Sequence, residues 1–130
     1  SGFVVALFAP REAAHDAAVA FVAVNEAPII TIQSVIAETC FFLSAKGRRA
    51  LLEWVARGAV ELLDVPTQAY AEIGAITNRY QNLDPDFADC ALVWLAGEVK
   101  CRRILTLDER DFSAFRMKGN KRFELIEWLN

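Results

Sequence analysis

Three carboxylates in this chain stand in apolar surroundings. Glu38 lies within Val35-Ile36-Ala37-Glu38-Thr39-Cys40-Phe41-Phe42, and Asp89 within Phe87-Ala88-Asp89-Cys90-Ala91-Leu92-Val93-Trp94. Asp108 closes the run Ile104-Leu105-Thr106-Leu107-Asp108. An ionised acid in such a setting is costly unless a cation or dense hydrogen bonding compensates it, so three of them point to a shared cation. Oxygen donors with no adjacent His or Cys cluster select Mg2+ or Mn2+ over zinc. Without metal, clustered carboxylates repel one another and at least one should hold a proton. With metal they orient a water and neutralise charge growing on a phosphodiester, which is nuclease chemistry.

Such a site requires the acids to converge, and the order of elements says how. Apolar spacing predicts a helix over 11–24, a short buried strand over 29–32 and a helix from Ser34, its expected N-cap, to Ser44. An amphipathic helix over 48–57 ends at Gly58, and a weak strand covers 60–65. Thr67 is expected to cap a helix reaching about Gln81, and Asp84-Pro85 to open one reaching about Val99. A strand over 103–107, a helical turn over 109–115 and a last strand over 122–126 complete the chain. Strands alternating with helices imply an α/β layered domain with a mainly parallel sheet, whose ligands bind beyond the carboxyl ends of the strands. Glu38, Asp89 and Asp108 all fall at that edge. Asp86 reads more readily as a first-turn cap of its helix than as a ligand, and Asp111 either joins the site or caps the turn near Phe112.

The chain has 130 residues, 55% hydrophobic and 24% charged, the composition of one ordered soluble domain. No apolar run approaches the length of a membrane span, so no membrane association is expected. Cys40, Cys90 and Cys101 are odd in number and lack C-x-x-C spacing; they read as small buried hydrophobes in a reducing cytoplasm. The net charge of −3 conceals eight basic residues against three acidic ones over 100–122. Within that tract Arg102, Arg103, Arg110, Arg116 and Lys118 are candidates to hold a polyanion beside the metal site, although a solvated basic face has the same composition. His15, the lone histidine, is given no catalytic role. Trp54, Trp94 and Trp128 read as core or interface residues. Phosphate-loop and G-x-S-x-G motifs are absent from the sequence, which argues against P-loop and serine-hydrolase chemistry.

Taken together, Ser1-Gly2-Phe3-Val4-Val5-Ala6-Leu7-Phe8, Glu38 in its apolar run, Asp86-Phe87-Ala88-Asp89-Cys90-Ala91-Leu92 and Ile104-Leu105-Thr106-Leu107-Asp108-Glu109-Arg110-Asp111-Phe112 resemble a PIN domain. The likeness is strongest to the VapC-like toxin ribonucleases of toxin–antitoxin modules and covers essentially the whole chain. It implies a PIN-like three-layer α/β/α sandwich with a central, mainly parallel sheet. It also implies Mg2+- or Mn2+-dependent cleavage of RNA by metal-activated water, a homodimer and an antitoxin partner. Family positions map onto Glu38, Asp89 and Asp108 as metal-site acids, with Asp86 and Asp111 as further candidates. Thr106 and Ser1 map onto supporting positions.

PIN domains begin with a strand that ends in an Asp, and the residue preceding Ser1 is where the resemblance places it. The expectation is therefore a single PIN-like domain whose intact form carries a further N-terminal strand and acid, with 3–7 forming the helix after that strand rather than a strand itself. An intact mass equal to residues 1–130 alone would contradict this. The alternative to a nuclease is a degenerate PIN scaffold that binds RNA or protein without cutting. A receiver-like or phosphatase domain using Asp108 as phosphoacceptor is weaker, because no motif matches it.

Overall fold

A computed structural model describes residues 2–129 and divides the chain into two compact units, one of residues 2–63 with 127–129 and one of residues 64–126. The first unit runs α1 (Gly2–Phe8), α2 (His15–Val24), β1 (Ile30–Ile32), α3 (Gln33–Phe42), α4 (Ala45–Ala56) and β2 (Glu61–Leu63). Its strands are parallel, with Ile30 opposite Glu61 and Ile32 opposite Leu63. Ile32 is fully buried, as expected of a short β-branched strand covered by helices.

Small residues let α1 and α2 approach closely: Ala6 and Ala18 are almost completely buried. Phe3 of α1 meets Phe21 and Trp128 edge to face, with ring centroids 5.9 and 4.9 Å apart. Phe8 meets Trp54 in the same way at 5.3 Å. His15 places Nδ1 2.8 Å from the Ala6 carbonyl, which ties the start of α2 to α1 and gives the histidine a structural role. Ser44 caps α4 by accepting the Gly47 N–H at 3.2 Å. A Cβ at Gly47 would lie 2.8 Å from the Phe8 carbonyl oxygen, a backbone atom that cannot swing aside. Gly47→Ala is therefore expected to cost about 1–3 kcal/mol, the usual penalty of overpacking, despite alanine's better helix propensity. Urea denaturation of the two proteins checks this.

The second unit holds α5 (Ala69–Arg79), a 3-10 turn (Gln81–Leu83), α6 (Phe87–Val99), β3 (Arg103–Ile104), α7 (Glu109–Ala114), β4 (Arg116–Met117), β5 (Lys121–Arg122) and β6 (Glu124–Leu125). Strands β3 and β6 pair in parallel, and β4 and β5 form an antiparallel hairpin. Helix α6 is its centre: Ala88, Cys90, Ala91, Val93, Trp94, Leu95 and Ala96 are all buried. Ala69, Ile73 and Ile76, one face of α5 at helical spacing, are buried in the same unit. Phe115 and Phe112 stack edge to face at 5.0 Å, and Tyr80 and Phe123 extend the cluster. The Tyr80 hydroxyl accepts the Arg116 N–H at 2.9 Å.

The α/β class with parallel pairs agrees with the sequence, and 3–7 is helical as preferred. Several boundaries differ, each for a local reason. Ser34 does not cap α3; Ile32 precedes the helix, and the Ser34 Oγ is buried without a hydrogen-bond partner among the described residues. Thr67 gives α5 no side-chain cap, because Gln68 occupies the cap position. Asp84 adopts a left-handed conformation (φ 48°) after the 3-10 turn, so α6 opens later, with Asp86 as its cap. The strand expected over 103–107 stops at Ile104, and the last strand divides between β5 and β6. The β4–β5 hairpin was not anticipated, although Gly119 and Asn120, both at positive φ, mark its turn. Among the described residues no helix is long and apolar enough to cross a membrane.

Candidate metal centre

The second unit brings three acids together. One carboxylate oxygen each from Asp89, Asp108 and Asp111 can be chosen so that all lie within 4.8 Å of one another. Two helix starts built to the same pattern, D-x-x-D, position them. Asp86 precedes α6 and its Oδ1 accepts the Asp89 N–H at 2.8 Å. Asp108 precedes α7 and its Oδ1 accepts the Asp111 N–H at 3.0 Å. In each case the first Asp satisfies an orphan amide of the first turn, and the second stands at the third helical position, where the helix dipole favours a negative charge. Upstream, the Thr106 Oγ1 accepts the Asp108 N–H at 2.8 Å and shapes the turn that carries Asp108 out of β3.

The acids are less buried than their neighbours in sequence suggest. Asp108 is exposed, and Asp89 and Glu38 are half-buried. The apolar residues around them occupy other faces of the same helices, so the cost of burial inferred from composition is smaller than expected. Their mutual repulsion is the firmer argument. Partial burial, a hydrogen bond with Asp108 and the Asp108 charge push the Asp111 carboxyl above the usual carboxylate range, against the opposing pull of Arg110. The donors are all carboxylates, and a small hard cation fits such a set better than zinc does.

A group held protonated by folding stabilises the metal-free protein below its unfolded pKa, and that contribution is lost as pH rises through the raised folded value. Above that window the ionised Asp111 opposes folding. Asp111→Asn should therefore raise the melting temperature of the metal-free protein at neutral pH and flatten its decline from mildly acidic pH upward. Thermal melts in chelator across that range check it; a lower melting temperature for the variant throughout would contradict it.

The remaining candidates are placed as follows. Glu38 lies in the first unit on α3, one turn beyond Ser34. Asp86 turns its carboxylate to its own helix, as the capping reading anticipates. Ser1 lies outside the described residues. Arg102, Arg110 and Lys118 are exposed. Arg103 approaches Glu124 at 3.9 Å in an exposed pair. Arg116 is committed elsewhere: its Nη1 donates to the carbonyls of Ser113, Ala114 and Phe115 at 2.8 to 3.0 Å and closes the end of α7. Of the three cysteines expected to be buried only Cys90 is, and burial pushes its thiol up, so it stays a neutral packing residue; Cys40 is half-buried and Cys101 exposed.

The family model for the PIN domain matches residues 1–117. The chain belongs to the PIN domain family. Ribonuclease VapC26 of Mycobacterium tuberculosis (strain ATCC 25618 / H37Rv) is 40% identical to this PIN domain over 77 residues, 59% of the chain and 57% of that relative. The matched segment thus spans little more than half of the relative. Within this PIN domain Asp111, which the sequence leaves open between the site and a cap, lies with Asp89 and Asp108. The repeated D-x-x-D spacing, Asp86 to Asp89 and Asp108 to Asp111, is the sequence signal that sets it beside Asp89.

Proposed function

We propose that this PIN domain is a divalent-metal-dependent endoribonuclease of the VapC toxin type. The observation that carries the reading is the convergence of Asp89, Asp108 and Asp111 at the starts of two helices, in a chain of this family. Asp89, Asp108 and Asp111 would hold Mg2+ or Mn2+, with Asp86 as the cap that fixes Asp89. When bound, such a cation supplies charge neutralisation at the phosphodiester and lowers the pKa of water enough for attack. The protein's own part is preorganisation. The two capped helix starts hold the carboxylates close before the cation arrives, and Thr106 fixes the turn bearing Asp108. A cation would compete with the proton for the Asp111 carboxylate, so cation affinity should strengthen as pH rises through the raised value. Arg102, Arg110 and Lys118, exposed residues of the basic tract, would meet RNA phosphates.

A homodimer and an antitoxin partner belong to the same reading. In the first unit Phe41 is 90% exposed and Phe42 66%, with Leu52 also exposed, an apolar surface suited to protein contact. Incubation of the purified protein with total RNA tests the activity. Discrete cleavage with Mg2+ or Mn2+ that stops on chelation is expected; RNA left intact, or cutting indifferent to chelator, would refute it.

A further inference from the structure

Seven aromatic pairs are seen among the described residues, and six meet edge to face. The exception is Tyr70 with Phe87, whose rings are nearly parallel, 24° between planes and 5.5 Å between centroids. This pair is also open to solvent: Tyr70 is 53% exposed and Phe87 41%. Two large rings kept at the surface forgo the stabilisation that burial would give them, so the fold alone does not account for their position.

A glycine beside them is equally unexplained by packing. Gly74 follows Tyr70 by one turn in the middle of α5, and a Cβ there would meet nothing within 4 Å. A mid-helix glycine costs roughly 0.5–1 kcal/mol relative to alanine. Helical side chains lean toward the N-terminus, so any side chain at position 74 would lie over the turn that carries Tyr70. Glycine leaves that turn bare.

Position relative to the acids indicates what the rings meet. Phe87 is the first residue of α6 and stands between the cap Asp86 and the cluster member Asp89. Two residues apart on a helix, Phe87 and Asp89 leave the first turn on nearly opposite sides, about 10 Å apart, roughly the width of the helix. Glu72, Asp84 and Asp86 nearby are exposed and acidic, which disfavours a phosphate at the rings themselves. A neutral, flat group does not suffer that repulsion. We infer that Tyr70 and Phe87 form a stacking platform for one unpaired nucleobase of an RNA whose phosphate lies at the Asp89–Asp108–Asp111 cluster. The inference rests on the ribonuclease reading and adds a base-binding subsite to it. A flat aromatic platform grips any base by its π-face, so it favours single-stranded RNA over duplex more than one base over another.

Steady-state cleavage of a short single-stranded RNA by wild type, Phe87→Leu, Gly74→Gln and Phe87→Trp tests it. Leucine keeps the apolar bulk but removes the ring, and glutamine fills the open space while improving the helix. Both should raise KM about tenfold, the scale of losing one stacked base, with kcat nearly unchanged. Tryptophan should restore KM. An abasic residue at one substrate position should weaken wild type and leave Phe87→Leu no weaker still. If wild type cuts RNA and both substitutions leave KM unaltered, the platform is wrong and the ribonuclease reading stands. A change from dimer to monomer in light scattering with KM unaltered would assign the rings to a protein contact and also overturn it. If wild type neither cuts nor binds the RNA, the ribonuclease reading falls and the platform with it.

Discussion

Asp89→Asn is expected to abolish metal-dependent RNA cleavage, by on the order of 100-fold or more, while leaving the fold intact. Asparagine matches aspartate in size, and the Asp89 backbone N–H keeps its bond to Asp86, so α6 retains its start. What disappears is one of three negative charges and a hard oxygen donor. A cation's stabilisation of a reacting phosphodiester amounts to several kcal/mol, and about 1.4 kcal/mol corresponds to a factor of ten in rate. A hundredfold loss corresponds to about 2.8 kcal/mol, within the scale of that stabilisation. The measurement is the cleavage rate at saturating Mn2+, beside far-ultraviolet dichroism and a thermal melt. A correctly folded variant that cuts as fast as wild type would remove Asp89 from the site.

Phe112→Ala is expected to cost about 3–5 kcal/mol of stability, the range for emptying a buried phenyl site. Phe112 is 2% exposed and sits edge to face against Phe115 and Phe123. A small domain has only about 5–15 kcal/mol in total, so the loss is a large fraction of it. The consequence reaches the acids, because Phe112 lies on α7 directly after Asp111. With only six residues, α7 is far too short to persist on its own. Packing of Phe112 against Phe115 and Phe123 is what holds α7, which carries Asp111 behind its cap Asp108, in place. The variant should therefore unfold at lower denaturant and bind Mn2+ more weakly under conditions where it remains folded. Urea titration and calorimetry measure the two effects; weakened stability with unchanged affinity would separate the core from the site.

The parts of this molecule that were legible in its sequence are those with a strong local signal. The apolar periodicity of α5 and α6, the two D-x-x-D segments and the sequence around Asp108 each announce themselves within a few residues. What was not legible depended on competition between equivalent local choices. Asp84 and Asp86 offer the same cap chemistry two positions apart, and the left-handed turn at Asp84 decides between them. Ser34 and Thr67 are good caps by type, yet the chain enters α3 and α5 at other residues. The strand before Asp108 looked longer because Leu105 and Leu107 are apolar; the Thr106 hydroxyl bends the chain there instead. Exposure of Asp108 followed from that bend. The basic tract read as one feature, but the Arg116 guanidinium closes α7, a division of labour that charge counting does not reveal.

Calorimetric titration of Mn2+ into wild type and Asp108→Asn tests the metal centre most directly. Asparagine is as good a helix cap as aspartate, so α7 keeps its start while the cluster loses one charge. Saturable binding to wild type, and little or no binding to the variant, is the expected result. Equal heats for the two proteins, or no binding to either, would contradict a cation held by Asp89, Asp108 and Asp111.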